Sequence, residues 1–192
     1  MAILKVARMG HPVLRAKARR VEPAEIVSPE FQRLIDDMFD TMREYAGIGL
    51  AAPQIHESVQ LFVAGLRPSK SVGPMSDDDD MPFIALINPE ITPVVAPGAS
   101  GPAMATDWEG CLSIPDIRGM VPRPNAITVR AFDRKGKKIE LTASGLPARV
   151  IQHEADHLHG VLFFDRMTSF ETLTFLDEYS RFWRKQDDDG DE

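Results

Sequence analysis

The chain has 192 residues, of which 43% are hydrophobic and 27% charged, with a net charge of −7. That length fits one domain with a substantial core, and the acidic balance argues against a nucleic-acid-binding surface as the main activity. No apolar run approaches the roughly 18 residues of a membrane helix, and the start, Met1-Ala2-Ile3-Leu4-Lys5-Val6, lacks the pattern of a signal or transit peptide; a cytoplasmic protein with no membrane or nucleic-acid partner is expected.

The first strong element is an amphipathic helix over Ser28 to Ala46. Ser28 serves as its N-cap and Pro29 as its first helical residue. Phe31, Leu34, Ile35, Met38, Met42 and Tyr45 recur at helical spacing, and Gly47 ends the run. The segment Gly47-Ile48-Gly49-Leu50-Ala51-Ala52-Pro53-Gln54 follows. Its glycines let backbone approach a ligand closely, but it lacks the third glycine of a nucleotide fingerprint. Gln54 can donate to a carbonyl oxygen developing negative charge. Taken alone, the segment reads more simply as a tight loop.

Short apolar runs at Val59 to Ala64, Phe83 to Asn88, Ile127 to Asp133 and Lys137 to Thr142 suit strands. The last two flank Asp133-Arg134-Lys135-Gly136, a hairpin turn. Arg67 to Pro82 reads as a mobile loop, and Pro93 to Pro102 as a connection between strands. The acidic runs Asp77 to Asp80 and Asp187 to Glu192 read as solvated loop and tail.

Cys111 is the one cysteine, so no internal disulfide forms, which fits a reducing compartment. It lies in Glu109-Gly110-Cys111-Leu112-Ser113-Ile114-Pro115. A lone cysteine is most often a small buried apolar residue. Beside two histidines, its thiolate would complete a three-ligand site with a fourth position open. Sulfur suits iron(II), zinc, cobalt or nickel over magnesium or calcium. The adjacent Leu112 N–H would then be a second oxyanion donor.

The most informative segment is His153-Glu154-Ala155-Asp156-His157. At helical spacing both imidazoles share one face and reach one metal ion, while Glu154 can handle a proton on water. The helix is expected from about Leu146 to His159, with Pro147 in its first turn and Gly160 beyond its end. Arg149, Gln152, Asp156 and His159 fall on a polar face, and His159 reads as a surface residue. His153 borders that face, and Glu154 and His157 lie in an otherwise apolar arc. Ionisable groups buried there need partners, and a metal ion supplies one for the histidines. A last helix is expected from Ser169 to Lys185, with a stripe of Leu173, Leu176, Tyr179, Phe182 and Trp183, followed by a disordered Asp/Gly tail.

Three segments together resemble the signature motifs of peptide deformylases: the GxGLAAPQ loop at Gly47 to Gln54, EGCLS at Glu109 to Ser113, and HExDHLxG at His153 to Gly160. Met9 to Arg15, Val121 to Pro124 and Phe163 to Arg166 fit the same pattern, so the resemblance covers roughly Ile3 to Met167. It implies an α+β fold, with antiparallel β-sheets packed around a central metal-binding helix, an N-terminal helix and a C-terminal helix. It implies removal of the N-formyl group from the formyl-methionine of newly made proteins. Cys111, His153 and His157 would be the metal ligands, holding iron(II) in the cell and zinc or nickel in purified protein. Glu154 would move the proton, with Gln54 and Leu112 holding the oxyanion. Ile48, Gly49 and Gly110 would pair with the peptide as an added strand. Leu146, Ile48 and Val150 are candidates for the methionine pocket.

Some positions depart from the familiar pattern. Asp107 and Trp108 precede Glu109, and Arg149 precedes His153 by four, where an aliphatic residue is usual. These put the lining of the methionine pocket in question. The catalytic domain is expected to span 1–167, with 168–192 as its C-terminal helix and acidic tail and a candidate for docking near the ribosome exit. Alternatives are an HExxH metallopeptidase, for which Glu171 and Glu178 sit in no recognisable ligand motif, a structural metal site, and a deformylase-like paralogue with altered acyl specificity.

Overall fold

The computed structural model describes residues 2–66 and 81–184. The expected amphipathic helix is α2, Pro29–Glu44, preceded by a one-turn α1, Pro23–Ile26. The Ser28 hydroxyl accepts from Phe31 N–H at its start, a cap that contributes about 1 kcal/mol. Five strands form one antiparallel sheet: β1 (Gly49–Ala51), β2 (Leu61–Leu66), β3 (Met81–Pro93), β6 (Ala126–Phe132) and β7 (Lys138–Ser144), in the order β1-β2-β3-β6-β7. A second antiparallel sheet has the order β4-β5-β8, from Met104–Cys111, Ile114–Pro124 and Thr174–Phe175. The metal-motif helix α3 spans Gly145–Leu158.

Alternation along β2 explains how the layers stack. Leu61 and Val63 pack with Ile35, Met38 and Met42 of α2. Phe62 and Ala64 face the other way, into a cluster with Ala148, Ile151 and Leu158 of α3. Side chains on a strand alternate between faces, and here helices cover both. That is why this strand reads as a continuous apolar run. α3 thus lies between the five-stranded sheet and the β4-β5-β8 sheet, as the expected architecture requires. A third cluster, with Leu14, Ile114, Val121, Leu162 and Phe163, closes the core beside Cys111.

The four expected strands form, and β6 and β7 are joined by the expected turn. The Asp133 carboxylate accepts from Lys135 and Lys137 N–H there, and Gly136 has φ 75°. β3 runs longer than expected, through a bulge between Ile87 and Glu90. Asn88 sits there at φ 52°, and its amide exchanges two hydrogen bonds of 2.8 Å with Val21. The connection at Pro93 to Pro102 is observed. Of the loop expected over Arg67 to Pro82, Met81 and Pro82 begin β3, and the rest lies outside the described residues, as does the acidic tail.

One expectation is corrected. The last helix does not start at Ser169: Thr174 and Phe175 pair with Arg118 and Ile117 of β5, and helical structure begins only with α4, Leu176–Glu178, continuing through a π turn at Tyr179–Trp183. Thr172 Oγ1 also accepts from Met120 N–H, so sheet addition outcompetes helix propensity in this stretch. The polar face of α3 is covered by neighbouring structure. Arg149, Gln152 and Asp156 are buried under the β4-β5 hairpin, and His159 alone of the four is exposed. Among the described residues, no helix is long and apolar enough to cross a membrane.

Candidate active site

Cys111 ends β4, and His153 and His157 stand one turn apart on α3. Their ligand atoms all lie within 4.8 Å of one another, and all three residues are buried. Cys111 Sγ is 3.3 Å from His157 Nε2. Each residue arrives for a local reason. Cys111 occupies an inward position of β4, two residues after inward-facing Glu109. The histidines share a helix face because four residues advance the helix by about one turn.

Glu109 orients the first histidine. Its Oε2 lies 2.9 Å from His153 Nδ1, leaving Nε2 for the cluster. The same carboxylate takes Arg123 at 2.6 and 3.0 Å and Arg149 at 2.7 Å. Arg123 also donates to Asp156 at 2.9 Å, and Arg166 pairs with Asp156 from the surface. Arg149 further donates to the carbonyls of Val121 and Ala105, both at 2.8 Å. Gln152 donates to the Pro124 carbonyl. Every charge on this face of α3 is therefore matched, which is what burial demands.

Burial raises the Glu109 carboxyl, but hydrogen bonds from His153 and Arg123 outweigh it and hold the group at about 2. Burial likewise raises the metal-free Cys111 thiol, while the His157 and His153 imidazoles bring it well below its ordinary value. A thiolate is the form that binds a metal. Glu154 has no cationic contact of that strength, and burial pushes it up to about 7. Glu154 Oε2 and His157 Nδ1 are buried without hydrogen-bond partners. An S,N,N donor set with a thiolate fits a divalent transition metal, and three protein ligands are fewer than the four that close a structural site.

Gln54 lies in the 3-10 turn Ala52–Ile55. Ala51 N–H donates to its Oε1 at 2.8 Å, which aims Nε2 at Cys111 Sγ, 3.5 Å away, and Ser113 Oγ, 3.3 Å away. Ala7 and Met9 N–H donate to the carbonyls of Gln54 and Ser113, so the N-terminal segment ties the two motif loops together. Leu112 follows Cys111 in the turn before β5. A Cβ at Gly49 would overlap the Glu154 carboxylate, including its Cδ at 2.7 Å; glycine there makes room for that side chain.

A cleft of about 690 Å³ opens onto this site. It is lined by Ile48, Gly49, Gln54, Gly110, Cys111, Leu112, Leu146, His153 and Glu154, so the expected site residues meet in one place. His157 belongs to the metal cluster but not to the cleft lining. The sequence reading gave no role to Glu109 or Arg123. Glu109 has a signal: it stands two residues before Cys111, hence on the same strand face. Arg123 has only an inward strand position among prolines.

The fold and this centre define a class: α+β proteins with a buried Cys–His–His site and an adjacent carboxylate, opening into a cleft between two sheets. A polypeptide deformylase family model matches residues 3–172. Peptide deformylase 1 of Nitrosomonas europaea is 41% identical over 175 residues, covering 91% of this chain and 93% of its own. Peptide deformylase 2 of Xanthomonas campestris is 45% identical over 168 residues, covering 88% and 89%. Among solved structures, a class I type b peptide deformylase from Acinetobacter baumannii with Met-Ala-Ser bound matches with a TM-score of 0.77 and 36% identity, covering 86% of this chain and 99% of that one. The Thermotoga maritima peptide deformylase matches with a TM-score of 0.72 and 34% identity, covering 88% and 100%. The chain belongs to the polypeptide deformylase family, and the metallopeptidase reading is not favoured.

Proposed function

We propose that this chain hydrolyses the N-formyl group from formyl-methionine at the start of nascent peptides, releasing formate. The observation that carries the reading is the buried Glu154 carboxylate, one oxygen of which has no hydrogen-bond partner, lining the same cleft as Cys111 and His153 of the Cys111–His153–His157 cluster. The proposed ligands are Cys111, His153 and His157, with iron(II) as the cellular ion and zinc or nickel compatible with the same donors. Such an ion, when bound, supplies Lewis-acid polarisation of water and of the formyl oxygen.

The chain's own residues do the rest. Glu154 accepts the proton of the attacking water and returns it to the amine as the C–N bond breaks. Its burial supports this role, because a carboxyl held near 7 can both take and give a proton at neutral pH. Gln54 Nε2 and the Leu112 N–H are the proposed donors to the oxygen that becomes negative. The peptide is proposed to bind as an added strand. β1 and β4 are each the terminal strand of their sheet, and both border the cleft. Ile48, Gly49 and Gly110 thus offer backbone to an extended peptide on its two sides. Leu146 and Val150, with Ile48, offer the apolar wall for methionine.

The catalytic unit is proposed to span 1–167, with 168–192 as its extension, in a cytoplasmic protein acting near the ribosome exit. The test is mass analysis of products from formyl-Met-Ala-Ser and acetyl-Met-Ala-Ser. Loss of the formyl group alone, with the acetyl peptide untouched, is expected. Cleavage of a Met-Ala or Ala-Ser bond contradicts the reading.

A further inference from the structure

A second cavity, of about 920 Å³, lies on a different face of α3 from the catalytic centre. The segment 17–20, β3, the β4-β5 hairpin and α3 border it. Gln152, Ala155, Asp156 and His159 line it from α3, at the i, i+3, i+4, i+7 spacing of a single helix stripe. The catalytic cleft takes Leu146, Arg149, Val150, His153 and Glu154 instead, and the two share no lining residue. Hydrolysis in the cleft gives this cavity no part.

Its walls carry two kinds of surface. Lys17, Arg19, Arg20, Arg123 and Arg166 bring five cations, against the two carboxylates of Glu90 and Asp156. This local excess of positive charge stands in a chain of net charge −7. Part of it is engaged: Arg19 pairs with Glu25, and Arg123 is held between Glu109 and Asp156. The rest can turn to a ligand. Lys17 is exposed and has no ion-pair partner among the described residues. Arg20 meets Glu90 at 3.2 Å with both side chains largely exposed, and such a pair is worth little. Arg166 is half-exposed and shares Asp156 with Arg123. The second kind of surface is apolar and stiff, from Ile91, Met104, Pro89, Pro93, Pro122 and Pro124.

Together these surfaces suit an anion with a flat or apolar body. Guanidinium groups match phosphate oxygens in bidentate fashion. Proline rings offer an apolar wall that costs no side-chain freedom to order. The volume is that of a small-molecule site. A nucleic acid would need a basic stripe running beyond the cavity, which the acidic balance of the chain opposes. We propose that this cavity is a second binding site, for a phosphate-bearing small molecule with a planar or apolar body, a nucleotide being the class that fits. The site does not depend on the deformylase reading. It does adjoin the network that orients His153: Arg123 donates to Asp156 at the cavity wall and to Glu109, whose other contact is His153 Nδ1.

The test is calorimetric titration of the metal-loaded protein with AMP, adenosine and inorganic phosphate. AMP should bind at concentrations below about 1 mM, and adenosine and inorganic phosphate at least about tenfold more weakly. Added salt should weaken the binding of AMP. The double variant Lys17→Ala, Arg20→Ala changes only exposed side chains. It should keep the wild-type Tm and lose at least about tenfold in AMP affinity. Met-Ala-Ser, the product expected in the catalytic cleft, should not compete with AMP. AMP binding that persists unchanged in the double variant overturns the proposal, and displacement by Met-Ala-Ser would place the phosphate in the cleft instead. Absence of AMP binding overturns it as well, as does tight binding of a single-stranded RNA oligomer in place of AMP.

Discussion

Glu109 Oε2 lies 2.9 Å from His153 Nδ1, and the same carboxylate holds the buried guanidinium groups of Arg123 and Arg149. One side chain therefore sets the orientation of a proposed metal ligand and neutralises the interface between α3 and the β4-β5 hairpin. Replacing it by Gln leaves two buried arginines short of charge. Glu109→Gln should lose about 3–5 kcal/mol of stability and about 10- to 100-fold in metal affinity. Denaturant unfolding and a competitive chelator titration check this; a variant of wild-type stability and affinity contradicts it.

The same carboxylate sets a pH dependence. Glu109 is held at about 2, below its ordinary 4.5. A depressed carboxyl contributes stability that is fully present above the unfolded value and lost as pH falls through the folded value. Wild type should therefore lose thermal stability between about pH 4.5 and 2. The gap in Tm between wild type and Glu109→Gln should narrow from pH 6 to pH 3. A gap that stays constant assigns the acid lability elsewhere.

Gly49 and Glu154 make a steric prediction. A Cβ at residue 49 meets the Glu154 carboxylate, and either group must move. Gly49→Ala should lower kcat by about 100-fold, the scale of an ångström misplacement of a reacting group, while far-UV circular dichroism stays native. Full activity in the alanine variant means that Glu154 does not need its observed position.

Metal identity has a handling consequence. Iron(II) bound partly by thiolate is open to oxidation. An iron-loaded preparation kept in air should lose formate-releasing activity faster than a nickel-loaded one. Equal decay assigns the lability to something other than the iron.

How much of this was legible in the sequence depends on what sits on each inward position. α2, β2 and the β6-β7 hairpin were legible because their inward positions are apolar and their caps and turn residues are local. β4 and β5 were not read as strands. Their inward positions include Glu109 and Arg123, so the period of two is present in burial but absent in hydrophobicity. Pro115, Pro122 and Pro124 obscure it further. The ligands and Gln54 were legible from motif spacing. The partners of Arg149 and Asp156 were not, because Glu109 and Arg123 lie far from them in sequence. The C-terminal segment read as a helix by its apolar stripe. Its pairing with Ile117 and Arg118 is a long-range choice that no local pattern carries.

The most direct test of the central claim is formate release from formyl-Met-Ala-Ser by nickel-loaded wild type and Glu154→Ala, with bound metal measured in both. The account predicts rapid release by wild type, and a variant that keeps its metal and fold but loses turnover by at least about 100-fold. A metal-loaded Glu154→Ala protein that releases formate at the wild-type rate would contradict it.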